Sequence, residues 1–245
     1  MSENTAAVAE NKPKGKFLNN DKRAFRAILW GILSPVIAVV VVIVAIILIV
    51  VGAGISASGG NSGAGVGIIV FGSLLFLAIV GVGITALVFN LMWVYRAHKN
   101  AEAISGEELF LSAGWHVGFY FIPLANLVVP YLLMLRIAEK SSSENSRTVV
   151  LSWWICLGVS FVLSFGSTFL TLASLPGIIS AGQSGGAFPV DGGLGLAGTG
   201  LSWIANLASF AGFILSFFVI SSVTKGQKEK ADELGFLTVE DKMEA

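Results

Sequence analysis

Two histidines and one asparagine between prolines are the side chains whose types and spacing could do chemistry. His98 and His116 are the only histidines, and two histidines on facing helices can hold a haem iron or another metal. The structural interpretation makes His98 a solvated interfacial residue and His116 a hydrogen-bonding partner beside Trp115. We expect the structural roles, and therefore predict no metal and no cofactor, although the two histidines could approach each other.

Asn126 lies between Pro123 and Pro130 in an apolar and aromatic stretch, residues 114–131, that reads GWHVGFYFIPLANLVVPY. A backbone that turns inside a bilayer leaves peptide groups unpaired, which costs several kcal/mol for each group. An asparagine side chain can pair with them because it both donates and accepts hydrogen bonds. The same turn could line a solute pathway, as discontinuous segments do in transporters. We expect Asn126 and both prolines to shape a turn.

The composition is that of a membrane protein. Of the 245 residues, 55% are hydrophobic and 12% are charged, whereas a soluble domain has about 25% charged residues. The formal net charge is zero, so no overall basic charge favours nucleic acid as a partner. Long apolar stretches predict four transmembrane helices, at about 27–52, 67–95, 149–175 and 201–223.

The segment at about 114–139 decides between two topologies. All 15 Lys and Arg lie before the first span, after the second, before the third or after the last. They share one side of the membrane if this segment is re-entrant or interfacial, and they divide between both sides if it is a fifth span. Because Lys and Arg prefer the cytoplasmic side, we predict an all-α integral membrane protein with four spans and a re-entrant or interfacial helical segment. Five spans are the alternative.

The same boundaries predict the domain organisation. Residues 1–22 have no apolar periodicity and predict a disordered cytoplasmic tail. Residues 23–224 form a single helical membrane domain, and residues 225–245 form a second cytoplasmic tail that is helical at first. Both termini are therefore predicted to be cytoplasmic.

Details within the domain follow from residue types. We expect the helix of the second span to continue until Ser105 and Gly106 end it, and residues 55–65 and 176–200 to be Gly-rich connectors. Three kinds of contact are also predicted: helix packing along the small residues of the last span, polar contacts between spans, and an ion pair on one helix face. The residues concerned are, in that order, Ala208, Gly212 and Ser216; Asn90 and Asn206; and Arg136 and Glu139.

No catalytic constellation is present in the sequence. Cys156 is the only cysteine, which excludes an internal disulfide and a thiolate metal cluster. The apolar cores of the four spans contain no Asp, Glu, Lys, Arg or His, the side chains that mark ion and substrate routes through membranes. We therefore predict no catalytic, cofactor-binding or metal-binding residue, and we expect that the protein is not an enzyme.

The run from Trp93 to Arg136, WVYRAHKNAEAISGEELFLSAGWHVGFYFIPLANLVVPYLLMLR, resembles the bacterial membrane family catalogued as domain of unknown function 4328. The similar features are a W-x-x-Y-R motif with a following asparagine, a Gly-Trp pair, and an F-I-P-x-x-N-L-x-x-P-Y block. The family often has proline before the Gly-Trp pair, where this chain has Ala113. The candidate structural or functional residues of the motif are Trp93, Arg96, Asn100, Gly114, Trp115, Pro123, Asn126, Pro130 and Tyr131.

The resemblance implies a multi-pass protein of the bacterial cytoplasmic (inner) membrane, and it implies no catalytic residue. Two functions fit the sequence. The first is a non-enzymatic scaffold or accessory subunit that binds a partner or lipid at the cytoplasmic face. The alternative is a channel or carrier for a small solute that uses the broken segment 114–139. The expected partners are membrane lipids and a homo-oligomer or another membrane protein, and nucleic acid is not expected.

Overall fold

The computed structural model describes residues 16–59, 62–141, 144–183 and 193–236, and it is an all-α membrane protein. Six α-helices follow in chain order: α1 Asp21–Ala57, α2 Ser62–Ser105, α3 Ala113–Gly118, α4 Val129–Lys140, α5 Glu144–Gln183 and α6 Gly193–Glu233. Two short 3-10 helices, Phe119–Phe121 and Ala125–Leu127, connect α3 to α4. As predicted, α1, α2, α5 and α6 are long and apolar enough to cross a membrane, whereas α3 and α4 belong to a bent pair.

The spanning helices continue past the predicted spans. Helix α2 has 44 residues, which at about 1.5 Å each make roughly 66 Å of helix, against a hydrocarbon core of about 30 Å. Its last turns therefore lie outside the apolar layer. The helix ends at Ser105, as predicted, because Gly106 adopts the left-handed conformation with a φ of 69°.

Both predicted Gly-rich connectors are too long. Helix ends reach into residues 55–65 and into residues 176–200. Uncharged Gly, Ala and Ser can continue a helix beside lipid, because each peptide group there can form a hydrogen bond only within the helix. The remaining parts of these connectors, residues 60–61 and 184–192, lie outside the described residues.

The described part of the chain begins inside the predicted tail of residues 1–22. Helix α1 starts at Asp21, and Phe17 is buried against Ile104 and Ala231. The ring centroids of Phe17 and Phe236 are 6.3 Å apart. Burial of the apolar Phe17 side chain holds this short segment in place. Residues 1–15 and 237–245 lie outside the described residues.

The long helices form two antiparallel hairpins, α1 with α2 and α5 with α6. In the first hairpin, a Cβ atom at Gly52 would lie 2.7 Å from the carbonyl oxygen of Gly65, so only glycine permits this approach. In the second, the Ser167 hydroxyl donates to the carbonyl of Gly198 at 2.9 Å, and a Cβ atom at Gly212 would lie 3.2 Å from Leu157. Small residues thus let neighbouring helices approach closely inside the bundle.

Asn90 and Asn206, the two residues predicted to form polar contacts between spans, have different environments in the structure. Asn90 is half-buried and lines a cavity of about 20 Å³, beside Tyr120 and Ser216. Asn206 is exposed, and its prediction is wrong because the adjacent Ala205, which is 2% exposed, occupies the inward side of α6.

The two hairpins share a buried core at one end of the bundle. We call this the charged end; it is formed by the start of α1, the last turns of α2, the end of α4, the start of α5 and the end of α6. Its core residues include Trp93, Val94, Ala97, Met134, Ile137, Val150, Val219, Ile220 and Val223. By contrast, only 6% to 22% of the residues in the most apolar part of each spanning helix are buried within the protein.

The close approach at Gly52 predicts opposite effects for two glycine substitutions in α1. Gly52→Ala forces the helices apart and should lower the free energy of unfolding by about 1–3 kcal/mol. A Cβ atom at Gly54 meets nothing within 4 Å, so Gly54→Ala should be neutral or raise the stability by up to about 1 kcal/mol through helix propensity. Thermal unfolding in detergent measures both. Equal effects of the two substitutions would contradict the assignment of a glycine-dependent contact.

Candidate interaction site at the charged end

The segment between α2 and α4 contains a sharp bend. The Ser112 hydroxyl caps α3 by accepting from the backbone N–H of Trp115 at 3.5 Å. The helical part 113–121 is bent by 112° from the helical part 125–140. Exposed Pro123 lies in the turn, and the backbone N–H of Asn126 donates to the carbonyl of Ile122 at 2.7 Å.

Two expectations about this turn differ from the structure. Backbone bonds close it, and the Asn126 side chain forms no hydrogen bond with the described residues. Pro130 lies in the first turn of α4 rather than at the tip, and it is buried. That position suits proline, because the first N–H groups of a helix have no intrahelical acceptor.

Ion pairs bring the two ends of the segment to the charged end of the bundle. The Lys140 ammonium, at the end of α4, lies 2.6 Å from the Glu107 carboxylate, just after α2. This pair holds the pKa of Glu107 below its usual value. Arg136 and Glu139 pair at 3.3 Å, as predicted. A segment that leaves and returns at one end is the geometry of a re-entrant or interfacial segment rather than of a fifth span.

The last turns of α2 are joined to α6 by buried hydrogen bonds. The indole N–H of Trp93 donates to the Thr224 hydroxyl at 3.0 Å. The Gln227 amide donates to the backbone carbonyl of Ala97 at 2.7 Å. Thr224 and Gln227 were not among the predicted site residues. Their spacing of three places them on one helix face, a signal that could have identified them.

Asn100 holds the segment before α1 through two hydrogen bonds. Its Oδ1 atom accepts from the Leu18 N–H at 3.2 Å, and its Nδ2 atom donates to the Leu18 carbonyl at 2.8 Å. Asn100 is 1% exposed, so its side chain is shielded from water at its own end of these bonds. Arg23 adds a nearby link, because its guanidinium donates to the Met92 carbonyl at 3.2 Å. The predicted residue Asn100 therefore has a structural role that joins segments 82 residues apart.

The other predicted residues divide between buried and exposed positions. Arg96 is half-buried, and its Nε atom has no hydrogen-bond partner among the described residues. The Tyr131 ring stacks on Trp154 with centroids 5.4 Å apart, which joins α4 to α5. Gly114 and Trp115 are exposed. The nine motif residues therefore do not form one site.

His98 and His116 form a buried pair between α2 and α3. Their Nδ1 atoms are 3.2 Å apart, and both residues are 0% exposed. The Nε2 atom of His98 lies 3.3 Å from a Glu102 carboxylate oxygen, and the ring of His116 stacks on Tyr120. The predicted approach of the two histidines is confirmed, whereas the prediction of a solvated His98 is wrong because α3 covers it.

The chemistry of this pair is that of a shared hydrogen bond. One imidazole donates from Nδ1 and the other accepts. Among the described residues, no third His, Cys, Asp or Glu completes a group that could hold a metal. Both histidines lie beyond the apolar stretch that ends at Tyr95.

Burial lowers the pKa of His98, although the nearby Glu102 carboxylate acts in the opposite direction. Burial, together with His98, lowers the pKa of His116 to about 3, so His116 is neutral at pH 7.

An aromatic surface lies on the connector after α2. Phe110 is 59% exposed and Trp115 is 58% exposed. The residue before Phe110 is anchored, because Leu109 is buried and its N–H donates to a Glu102 carboxylate oxygen at 3.4 Å. The neighbouring carboxylates of Glu107 and Glu108 are exposed. We call these four exposed residues, Glu107, Glu108, Phe110 and Trp115, the connector surface.

The two bonds of Asn100 predict a clear cost of substitution. Asn100→Ala removes both and leaves the Leu18 peptide groups poorly satisfied, so the free energy of unfolding should fall by about 2 kcal/mol. Limited proteolysis should also cut more rapidly near Leu18. Asn206→Ala is the matched control, because Asn206 is exposed and should change stability by less than about 0.5 kcal/mol. Unchanged proteolysis in Asn100→Ala would contradict the proposed link.

The histidine pair predicts lower stability in acid. In the folded protein the pKa of His116 lies below that of an unfolded histidine. Below about pH 6.5 the unfolded chain therefore binds more protons than the folded chain, and the free energy of unfolding decreases as the pH is lowered. The loss should grow from about pH 6.5 toward pH 3. His116→Phe keeps an aromatic ring against Tyr120 but cannot titrate, so its melting temperature should depend less on pH than that of the wild type. Identical pH profiles would contradict this explanation.

The comparisons with known proteins agree with the predicted resemblance. A family model described as Domain of unknown function (DUF4328) matches residues 67–183, a range that includes most of α2, the bent segment and α5. No curated protein and no solved structure matches the chain. From α2 through α5, this membrane protein is therefore similar to the DUF4328 family, as its sequence motif predicts.

Proposed function

We propose that this protein is a non-enzymatic scaffold or accessory subunit of the bacterial cytoplasmic membrane that binds a partner protein through the connector surface. The carrying observation is the exposure of two large aromatic side chains outside the apolar spans, Phe110 and Trp115. Aromatic side chains dominate the binding energy of many protein interfaces. Exposed apolar patches beside polar residues commonly mark such interfaces.

The base of this surface supports partner binding because it is held in place before a partner arrives. Leu109 and His116 are buried, the Ser112 hydroxyl caps α3, and Lys140 pairs with Glu107. A surface that is already ordered loses less conformational entropy on binding. Glu107 is already paired with Lys140, so the exposed Glu108 carboxylate is the group that favours a basic side chain on the partner.

The proposed orientation places the charged end and both termini in the cytoplasm. The ion pair between Asp21 and Lys228, at 2.9 Å, joins the start of α1 to the end of α6, and Lys140 and Arg147 lie at the same end of the bundle. Lys and Arg in short segments next to spans favour the cytoplasmic side. The connector surface is then accessible to cytoplasmic proteins and to cytoplasmic parts of other membrane proteins.

The channel or carrier alternative has weaker support. It depends on the bent segment, whose turn exposes apolar side chains: Phe121 is 65% exposed, Leu124 is 82% exposed and Val128 is 52% exposed. Such side chains suit contact with lipid better than contact with a hydrated solute. We therefore favour binding over transport.

The proposal predicts that one exposed tryptophan matters for binding and another does not. Full-length protein with an affinity tag after Ala245, purified in mild detergent, should retain a stoichiometric partner or form a homo-oligomer. Trp115→Ala should weaken that complex at least about ten-fold. Trp203→Ala is the control, because Trp203 is 68% exposed in the apolar part of α6 and should leave the complex intact.

Two results would contradict the proposal. The first is a wild-type protein that is monomeric and free of partners. The second is a complex that Trp115→Ala and Trp203→Ala retain equally. The tag also tests the orientation: protease should remove it in inverted membrane vesicles and leave it in intact spheroplasts.

A further inference from the structure

A groove at the start of α1 combines charged and aromatic walls. Its volume is about 580 Å³. Charged side chains line one part and apolar side chains line the other; the lining residues are Asp21, Lys22, Arg26, Phe25, Leu29, Trp30 and Phe89. The groove is distinct from the connector surface, since the two share no residue.

The charged part of the groove is cationic. The Asp21 carboxylate is neutralised by Lys228 at 2.9 Å. Arg23 points elsewhere, because it donates to the Met92 carbonyl. Arg26 is exposed, and no carboxylate of the described residues lies within ion-pair distance of its guanidinium. The exposed Arg26 guanidinium therefore attracts an anion to the groove.

The apolar part of the groove has a flat aromatic floor. The Trp30 ring stacks on Phe89 with centroids 5.9 Å apart and an angle of 17° between the planes. Phe25 is 64% exposed and Leu29 is 37% exposed. This part lies where the apolar run of α1 begins, directly after Arg26, which is the depth at which head groups give way to acyl chains.

We propose that this groove binds one anionic phospholipid, with its phosphate at Arg26 and an acyl chain along Phe25, Leu29 and the Trp30–Phe89 floor. One occupant carries both an anionic group and a hydrocarbon chain, as the two parts of the groove require. The Arg26 guanidinium favours an anionic head group over a zwitterionic one, whose own cation it repels. The apolar floor favours a lipid over a free phosphate.

The test is a lipid titration followed by native mass spectrometry. Delipidated full-length protein is titrated with phosphatidylglycerol or phosphatidylcholine, and inorganic phosphate is added as a competitor. Phosphatidylglycerol should bind several-fold more tightly than phosphatidylcholine, and millimolar phosphate should leave it bound. Arg26→Gln should weaken phosphatidylglycerol binding about five-fold, as expected for the loss of one cation near the membrane surface.

Two further variants separate this site from general charge effects. Lys225→Gln is the matched control, because Lys225 is 78% exposed and lies outside the groove, and it should keep wild-type affinity. Phe25→Gln should weaken both lipids alike. The proposal is overturned if the wild type binds both lipids equally, if Arg26→Gln and Lys225→Gln behave alike, or if phosphate displaces phosphatidylglycerol. Partner binding through Trp115 is measured separately, so either proposal can fail alone.

Discussion

The hydrophobic effect drives helix association in this protein only outside the bilayer, where the side chains would otherwise contact water. Inside a bilayer, lipid tails are as apolar as leucine, so burying an apolar side chain against another helix brings no hydrophobic gain. The shared core around Trp93, Ile137 and Val223 accordingly lies at the charged end. The apolar parts of the hairpins instead use close backbone approach, as at Gly52, and hydroxyl bonds, as between Ser167 and Gly198.

The last turns of α2 connect the parts of the charged end. They hold the segment before α1 through Asn100, the end of α6 through Trp93, and α3 through His98. The bonds of Trp93 and His98 are buried and those of Asn100 are partly buried, so the loss of one partner leaves a poorly solvated polar group. The bonds therefore favour one arrangement of elements that lie far apart in the chain. That arrangement also fixes the position of the connector surface.

The sequence predicts features that depend on local pattern and charge. Four spans, the end of α2 at Ser105 and the pair of Arg136 with Glu139 follow from apolar length, glycine and spacing within a helix. The partners of Asn100 and Trp93 lie 82 and 131 residues away, and no local pattern encodes them. The prediction of a solvated His98 is wrong because a separate element, α3, covers it in the fold.

The contact between Phe17 and Phe236 has a consequence for anything attached to either end of the chain. These residues, near the first and last described residues, have ring centroids 6.3 Å apart, so the two limits of the described structure lie close together. Two weak binding sequences placed before Phe17 and after Phe236 would act as a bivalent ligand with a high effective concentration. Paired fluorophores there would likewise report on a single location.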